Sequence, residues 1–147
     1  MIDRQYIGHT LPAFEVLVEA GRLRFFAKAT GQTDPVYQDD AAARAAGHPA
    51  LPVPPTFLFC LEMESPDPAA IRNLLGMDYR RLLHGEQGFT YHRMAYAGDV
   101  LRFEQRIADI YDKKGGALEF VERITRITNQ RGEPVADLRA VTVLRNA

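Results

Sequence analysis

The chain has 147 residues, 46% hydrophobic and 25% charged, and its 18 basic and 19 acidic side chains leave a net charge of −1. This is the size and balance of one globular domain, able to bury a core without disulfide or metal staples. The interspersed charges exclude a nucleic-acid stripe or a membrane-surface patch, and no apolar run approaches the ~18 residues of a transmembrane helix.

The first residues carry no secretory signal pattern. The single cysteine, Cys60, cannot close an internal disulfide. Both features fit a reducing, cytoplasmic setting.

Residues 14–18, Phe-Glu-Val-Leu-Val, alternate in polarity and are β-branched, which predicts a first strand. A helix should follow from Ala20 to Thr30. Leu23, Phe26, Ala27 and Thr30 fall at i, i+3, i+4 and i+7, and Gly31 suits the position just past its end. Asp39 to Ala46 predicts a short second helix with an acidic start and an alanine-rich middle. Pro49-Ala50-Leu51-Pro52-Val53-Pro54-Pro55 excludes helix and central strand, and predicts an ordered extended loop.

A very apolar helix should start near Pro55-Thr56 and carry Phe57, Leu58, Phe59, Cys60, Leu61 and Met63. A helix apolar on all sides needs burial against something large, such as a curled sheet. Residues 65–81 read as a connection with one or two helical turns. Four strands are expected over 82–92, 100–112, 117–128 and 135–145, with turns at Ala97-Gly98-Asp99, Lys113-Lys114-Gly115-Gly116 and Asn129-Gln130-Arg131-Gly132. The result is a single α+β domain over residues 1–147, an antiparallel five-stranded sheet wrapped around one apolar helix.

Several residues stand out for chemistry. His84, Glu86 and His92 share one parity of the 82–92 strand, opposite Phe89 and Tyr91, which are the better core candidates. That places His84 and Glu86 on a solvated or interface face. Asp34, before Pro35, reads first as turn chemistry and second as a displaced carboxylate base. His48 reads as a loop residue or as a gate beside the apolar helix. Thr56 starts that helix, where free N–H groups could polarise a carbonyl. Cys60 reads as a buried packing thiol, and Phe25, Phe26, Phe57 and Phe59 as core. No spacing of three ligands supports a metal, and no cofactor is expected.

The element order, with Phe25-Phe26-Ala27-Lys28-Ala29-Thr30-Gly31-Gln32-Thr33-Asp34-Pro35-Val36-Tyr37, then Pro54-Pro55-Thr56-Phe57, then Leu83-His84-Gly85-Glu86-Gln87-Gly88-Phe89-Thr90-Tyr91-His92-Arg93, and last Ala97-Gly98-Asp99-Val100-Leu101, resembles a known family. It is similar to the MaoC-like dehydratases, and within them to the N-terminal or FAS1-like dehydratase type, over about residues 5–145. The resemblance implies a hotdog fold and dealings with acyl thioesters of coenzyme A or acyl carrier protein. Active members carry an Asp and a His five residues apart, in a pattern like Gly-Asp-x-Asn-Pro-x-His, for reversible hydration of a trans-2-enoyl thioester.

Here the Asp position is Gln32 and the His position is Tyr37. A glutamine does not titrate, and a phenol with a reference pKa of about 10 is a poor base at neutral pH. The resemblance therefore implies an acyl-thioester-binding, non-catalytic hotdog. Thr56, Phe57 and His48 would contact substrate, and a second hotdog, another chain or another copy, would complete a hydratase or dehydratase. Two alternatives stand beside it. One is a self-sufficient homodimeric hydratase or thioesterase using Asp34, His84 or Glu86. The other is a binding module without chemistry.

Overall fold

The first strand, β1 (Phe14–Leu17), forms because Phe14, Val16 and then Val18 turn inward while Glu15 and Leu17 face out. The computed structural model describes residues 1–146. Helix α1 (Ala20–Ala29) buries Leu23 and Ala27. It closes as the glycine predicted. Gly31 takes φ +71°, and the Gly31 and Gln32 N–H groups donate back to the Lys28 and Ala27 carbonyls. A short α2 (Asp40–Ala45) begins at Asp39, whose carboxylate accepts the Ala42 N–H at 2.8 Å.

The proline-rich segment then leads into α3 (Phe57–Glu62), and α4 (Ala70–Leu74) lies in the connection before the long strands. The strands are β2 (Leu82–Tyr91), β3 (Val100–Lys113), β4 (Leu118–Thr128) and β5 (Pro134–Arg145). All pair antiparallel in the order β1-β3-β4-β5-β2. This is the five-stranded α+β hotdog arrangement expected from the sequence. β2 pairs only with β5, so its outer edge carries unpaired backbone groups over ten residues.

Three bulges break the ladder, and the one between His84 and Glu86 matters most for β2. Gly85 sits in it. A β-carbon there would meet Val143 Cγ2 at 2.8 Å and the Val141 carbonyl oxygen at 3.0 Å, so the close approach of β5 requires glycine.

The core has two apolar parts. One joins Phe14, Leu23, Phe57, Leu58, Leu61, Phe103 and Ile127. The other joins Met77, Ile107, Ile110, Val121 and Leu144, with Ile71, Leu74 and Leu75 around α4 packed on it. Between them runs a polar seam. Glu62, at the end of α3, is 2% exposed and accepts from Gln105 Nε2 at 3.0 Å, from Arg123 Nη2 at 2.8 Å and from the Thr125 hydroxyl. On β3 the inward series is Phe103, Gln105, Ile107, so the seam sits one step from each apolar part.

Two core expectations are corrected. Phe25 is 74% exposed, because α1 buries only the Leu23–Ala27 stripe and Phe25 lies off it. Tyr91 is 50% exposed, and Phe89, stacked on it, is only half-buried. β2 is an edge strand, so its inward face is not fully covered.

Candidate functional site

A cavity of about 400 Å³ opens at the start of α3. Its walls are Val53, Pro54 and Pro55 from the extended loop, Leu58 from α3, Met94 and Ala95 beyond β2, and Val135 from β5. Its polar groups are Tyr37, Tyr91, His92 and Arg93. An apolar pocket with a few convergent polar groups is the usual form of a small-molecule site.

The Gln32–Tyr37 segment is held by local turn chemistry. The Gln32 side-chain oxygen accepts the Asp34 N–H at 3.0 Å, and the Asp34 carboxylate accepts the Val36 N–H at 3.0 Å. Asp34 thereby caps the short 3₁₀ turn Pro35–Tyr37, whose last residue carries its phenol into the cavity wall. Of the two positions where the resemblance expects an acid–base pair, one puts a phenol, Tyr37, in the cavity wall, and the other holds an amide, Gln32, that lies outside the lining and accepts from the Asp34 backbone.

Thr56 is more unusual than its sequence suggests. It takes φ +72°, a left-handed conformation that is strained for a β-branched residue. Its side chain makes no cap, and its N–H donates to the Tyr91 hydroxyl at 3.0 Å. This bond ties the start of α3 to the end of β2. Phe57 turns into the core against Phe26, with ring centroids 4.9 Å apart, and Leu58 faces the cavity instead. His48 is half-buried, its Nδ1 3.3 Å from the Tyr96 hydroxyl, and it braces the loop rather than lining the cavity.

Asp34, His84 and Glu86 are not brought together at this cavity. His84 is exposed on β2, opposite Thr142. Glu86 accepts from Arg139 at 2.6 Å, and the same guanidinium donates to Glu122 at 2.6 Å. These bonds, to Glu122 first and Glu86 second, raise the Arg139 pKa further above its ordinary value. Among the described residues no group of three His, Cys, Asp or Glu side chains is arranged to hold a metal, and no helix is long and apolar enough to cross a membrane.

Two pairings escaped the sequence reading. His92 Nε2 lies 2.7 Å from the Asp137 carboxylate at the cavity rim, although the residues are 45 apart in the chain. Glu62 points inward from a helix whose apolar neighbours gave no sign of a buried carboxylate. The pairing of β2 with β5 creates the first contact, and the packing of the end of α3 against the paired β3 and β4 creates the second.

Comparison with known proteins agrees with this geometry. A family model described as "FAS1-like, dehydratase domain region" matches residues 5–138. A UPF0336 protein of Saccharopolyspora erythraea is 37% identical over 147 residues, covering 98% of this chain and 92% of its own. Among solved structures, the HadBC (3R-hydroxyacyl-ACP dehydratase) complex of Mycobacterium tuberculosis superposes with a TM-score of 0.78 at 24% identity, covering 94% of this chain and 96% of that one. A MaoC-like dehydratase superposes with a TM-score of 0.85 at 25% identity, covering 97% of this chain and 43% of that longer one. The sheet, the cavity beside α3 and these matches together place the chain in the FAS1-like dehydratase domain family of MaoC-like hotdog proteins.

Proposed function

We propose that this chain is an acyl-thioester-binding subunit without its own acid–base pair, and that it completes an (R)-specific enoyl-thioester hydratase or 3-hydroxyacyl-thioester dehydratase with a second hotdog. The observation that carries this reading is the cavity at α3. It is large and apolar enough for an acyl chain, yet at the position where the resemblance expects the catalytic His it presents Tyr37, and Gln32, at the Asp position, is turned onto the Asp34 backbone. The free β2 edge, with Leu83 at 49% and Tyr91 at 50% exposure, supports an antiparallel partner. The HadBC neighbour is a complex, in line with a hotdog partner. The site of action would be a reducing, cytoplasmic compartment, and the carrier is coenzyme A or an acyl carrier protein.

The test is hydration of crotonyl- and longer enoyl-coenzyme A by the chain alone, and by its mixture with a hotdog subunit carrying the Asp/His pair from the same genome. Turnover in the mixture only is the expected result. Equal turnover by the chain alone refutes it, and binding with no turnover in either would indicate a module without chemistry.

A second reading has one observation in its favour. The His92–Asp137 pair at the cavity rim has the geometry of an oriented imidazole base, and it would serve a self-sufficient homo-oligomeric hydratase or thioesterase. Activity of the chain alone that is lost in His92→Gln, but kept in Asp34→Asn, His84→Ala and Glu86→Gln, would select His92 as the base over the first reading and over Asp34, His84 and Glu86.

A further inference from the structure

The α3 cavity lies at the Tyr91 end of β2. At the other end is an open cleft of about 320 Å³, lined by Arg80, Arg81, Leu83, Arg145 and Asn146. Three of the five lining residues are arginines, and none is a carboxylate. The strand register explains the crowding. Leu82 pairs with Leu144 as the last pair of the ladder, and Arg81 and Arg145 are the next residues beyond it on the two segments.

The two carboxylates nearby, Asp78 and Glu119, are already hydrogen-bonded by groups other than Arg81 and Arg145. Asp78 receives Arg80 Nε at 3.1 Å and Nη2 at 2.9 Å. Glu119, close enough to feel Arg81, is hydrogen-bonded by the Ile2 N–H and by the Asn146 amide at 2.6 Å. Among the described residues, Arg81 and Arg145 take part in no salt bridge. Two guanidinium forks facing one open cleft suit a phosphate, which accepts arginine in bidentate fashion.

The cleft cannot serve its own chain's cavity. At about 3.4 Å per residue, Leu83 and Tyr91 stand about 27 Å apart along β2. An antiparallel neighbour on the β2 edge runs the opposite way, so the cavity end of that neighbour's strand lies beside Leu83. We propose that Arg81 and Arg145 form a phosphate cleft that holds the phosphate of the pantetheine carrier whose acyl chain enters the adjoining subunit's cavity. This rests on the reading that a second hotdog, another copy or another chain, pairs along β2. The phosphate is the one next to pantetheine, or a nucleotide phosphate of coenzyme A.

Calorimetric titration tests it on the wild-type protein and on the Arg81→Ser/Arg145→Ser double variant. The probes are coenzyme A, 4′-phosphopantetheine and phosphate-free pantetheine, and light scattering gives the mass of each sample. The expected result is coenzyme A binding that weakens with salt and falls about tenfold or more in the variant, with pantetheine unaffected and the mass unchanged. Equal coenzyme A affinity in both proteins overturns the cleft, as does no binding at all or a loss that extends to pantetheine. A variant that loses both affinity and mass also overturns it, because its arginines would then be holding the partner. A monomeric wild type whose coenzyme A binding still depends on the arginines keeps the phosphate cleft and removes the β2 pairing. Binding of 4′-phosphopantetheine supports the cleft with the pantetheine phosphate as its ligand. Arginine-dependent binding of coenzyme A alone supports it with the nucleotide phosphates.

Discussion

Glu62→Ala should be the most damaging single truncation at the polar seam. The change leaves three donors facing a hole. Gln105 is 7% exposed and Thr125 fully buried, and each loses its carboxylate acceptor. The Arg123 side chain is 24% exposed and loses its charge partner. Breaking a buried ion pair from one side costs roughly 3–5 kcal/mol, and each orphaned buried polar group about 1–3 kcal/mol. These terms do not add, and Arg123 can reach water on one side, so the net loss is about 3 kcal/mol. For a domain of this size that lowers Tm by about 9 °C.

Glu62→Gln, which keeps an oxygen for Gln105 and Thr125, should cost about half as much. Urea and thermal unfolding at one fixed protein concentration would measure both, because assembly shifts apparent stability. A cycle of Glu62→Met with Arg123→Met should show coupling of about 1–3 kcal/mol. A Glu62→Ala loss below about 1 kcal/mol, or additive behaviour in the cycle, would refute the claim that the seam acts as one unit.

Gly85→Ala should destabilise by about 1–3 kcal/mol in urea unfolding, because the Val141 carbonyl cannot retreat without breaking the β2–β5 ladder. Thr56→Gly should do the reverse and add about 1 kcal/mol, since glycine takes φ +72° without strain. Leu83→Lys puts a charge on the free edge, and the mass read by light scattering should fall toward that of a single chain if β2 is the pairing edge.

The acid limb of stability provides another test. Burial raises the Glu119 pKa, but the Asn146 and Ile2 hydrogen bonds together outweigh it and hold the group below its ordinary 4.5. Arg80 holds Asp78 near 2. Groups with depressed folded pKa values give their full stabilisation above the unfolded pKa, and lose it as pH falls through the folded one. Tm should therefore fall steadily below about pH 4.5, and Glu119→Gln should flatten that fall. A slope unchanged in the variant would remove Glu119 from the account.

What the sequence could convey was local. Alternation over 14–18, the Leu23–Ala27 stripe closed by Gly31, the proline loop and the glycine turns each rest on a few adjacent residues. The folded chain has those elements almost at the expected limits. The family motifs added the hotdog arrangement. Contacts between distant strands were out of reach. Glu62 meets partners 43, 61 and 63 residues away, and His92 meets Asp137 across the β2–β5 ladder. Periodicity also cannot reveal a bulge, so the alternation around His84 and Glu86 loses its simple parity at Gly85. Thr56 gave no hint of its left-handed backbone, since nothing in Pro-Pro-Thr-Phe demands one.

The ten-residue outer edge of β2 has a consequence for how the protein must be made. A chain newly released into the cell displays a ladder of unmet donors and acceptors beside exposed Leu83 and Tyr91. Such an edge is a template for any extended chain, including further copies of itself in the wrong order. On the proposed pairing, supply of a covering subunit would govern how many copies survive, because an orphan is the form that proteases and aggregation remove. If the covering subunit is a different chain, overproduction alone should lower the soluble fraction of the protein. In that case its yield of folded chain should rise with a co-expressed partner, and a yield indifferent to co-expression would point to another copy of the same chain as the cover.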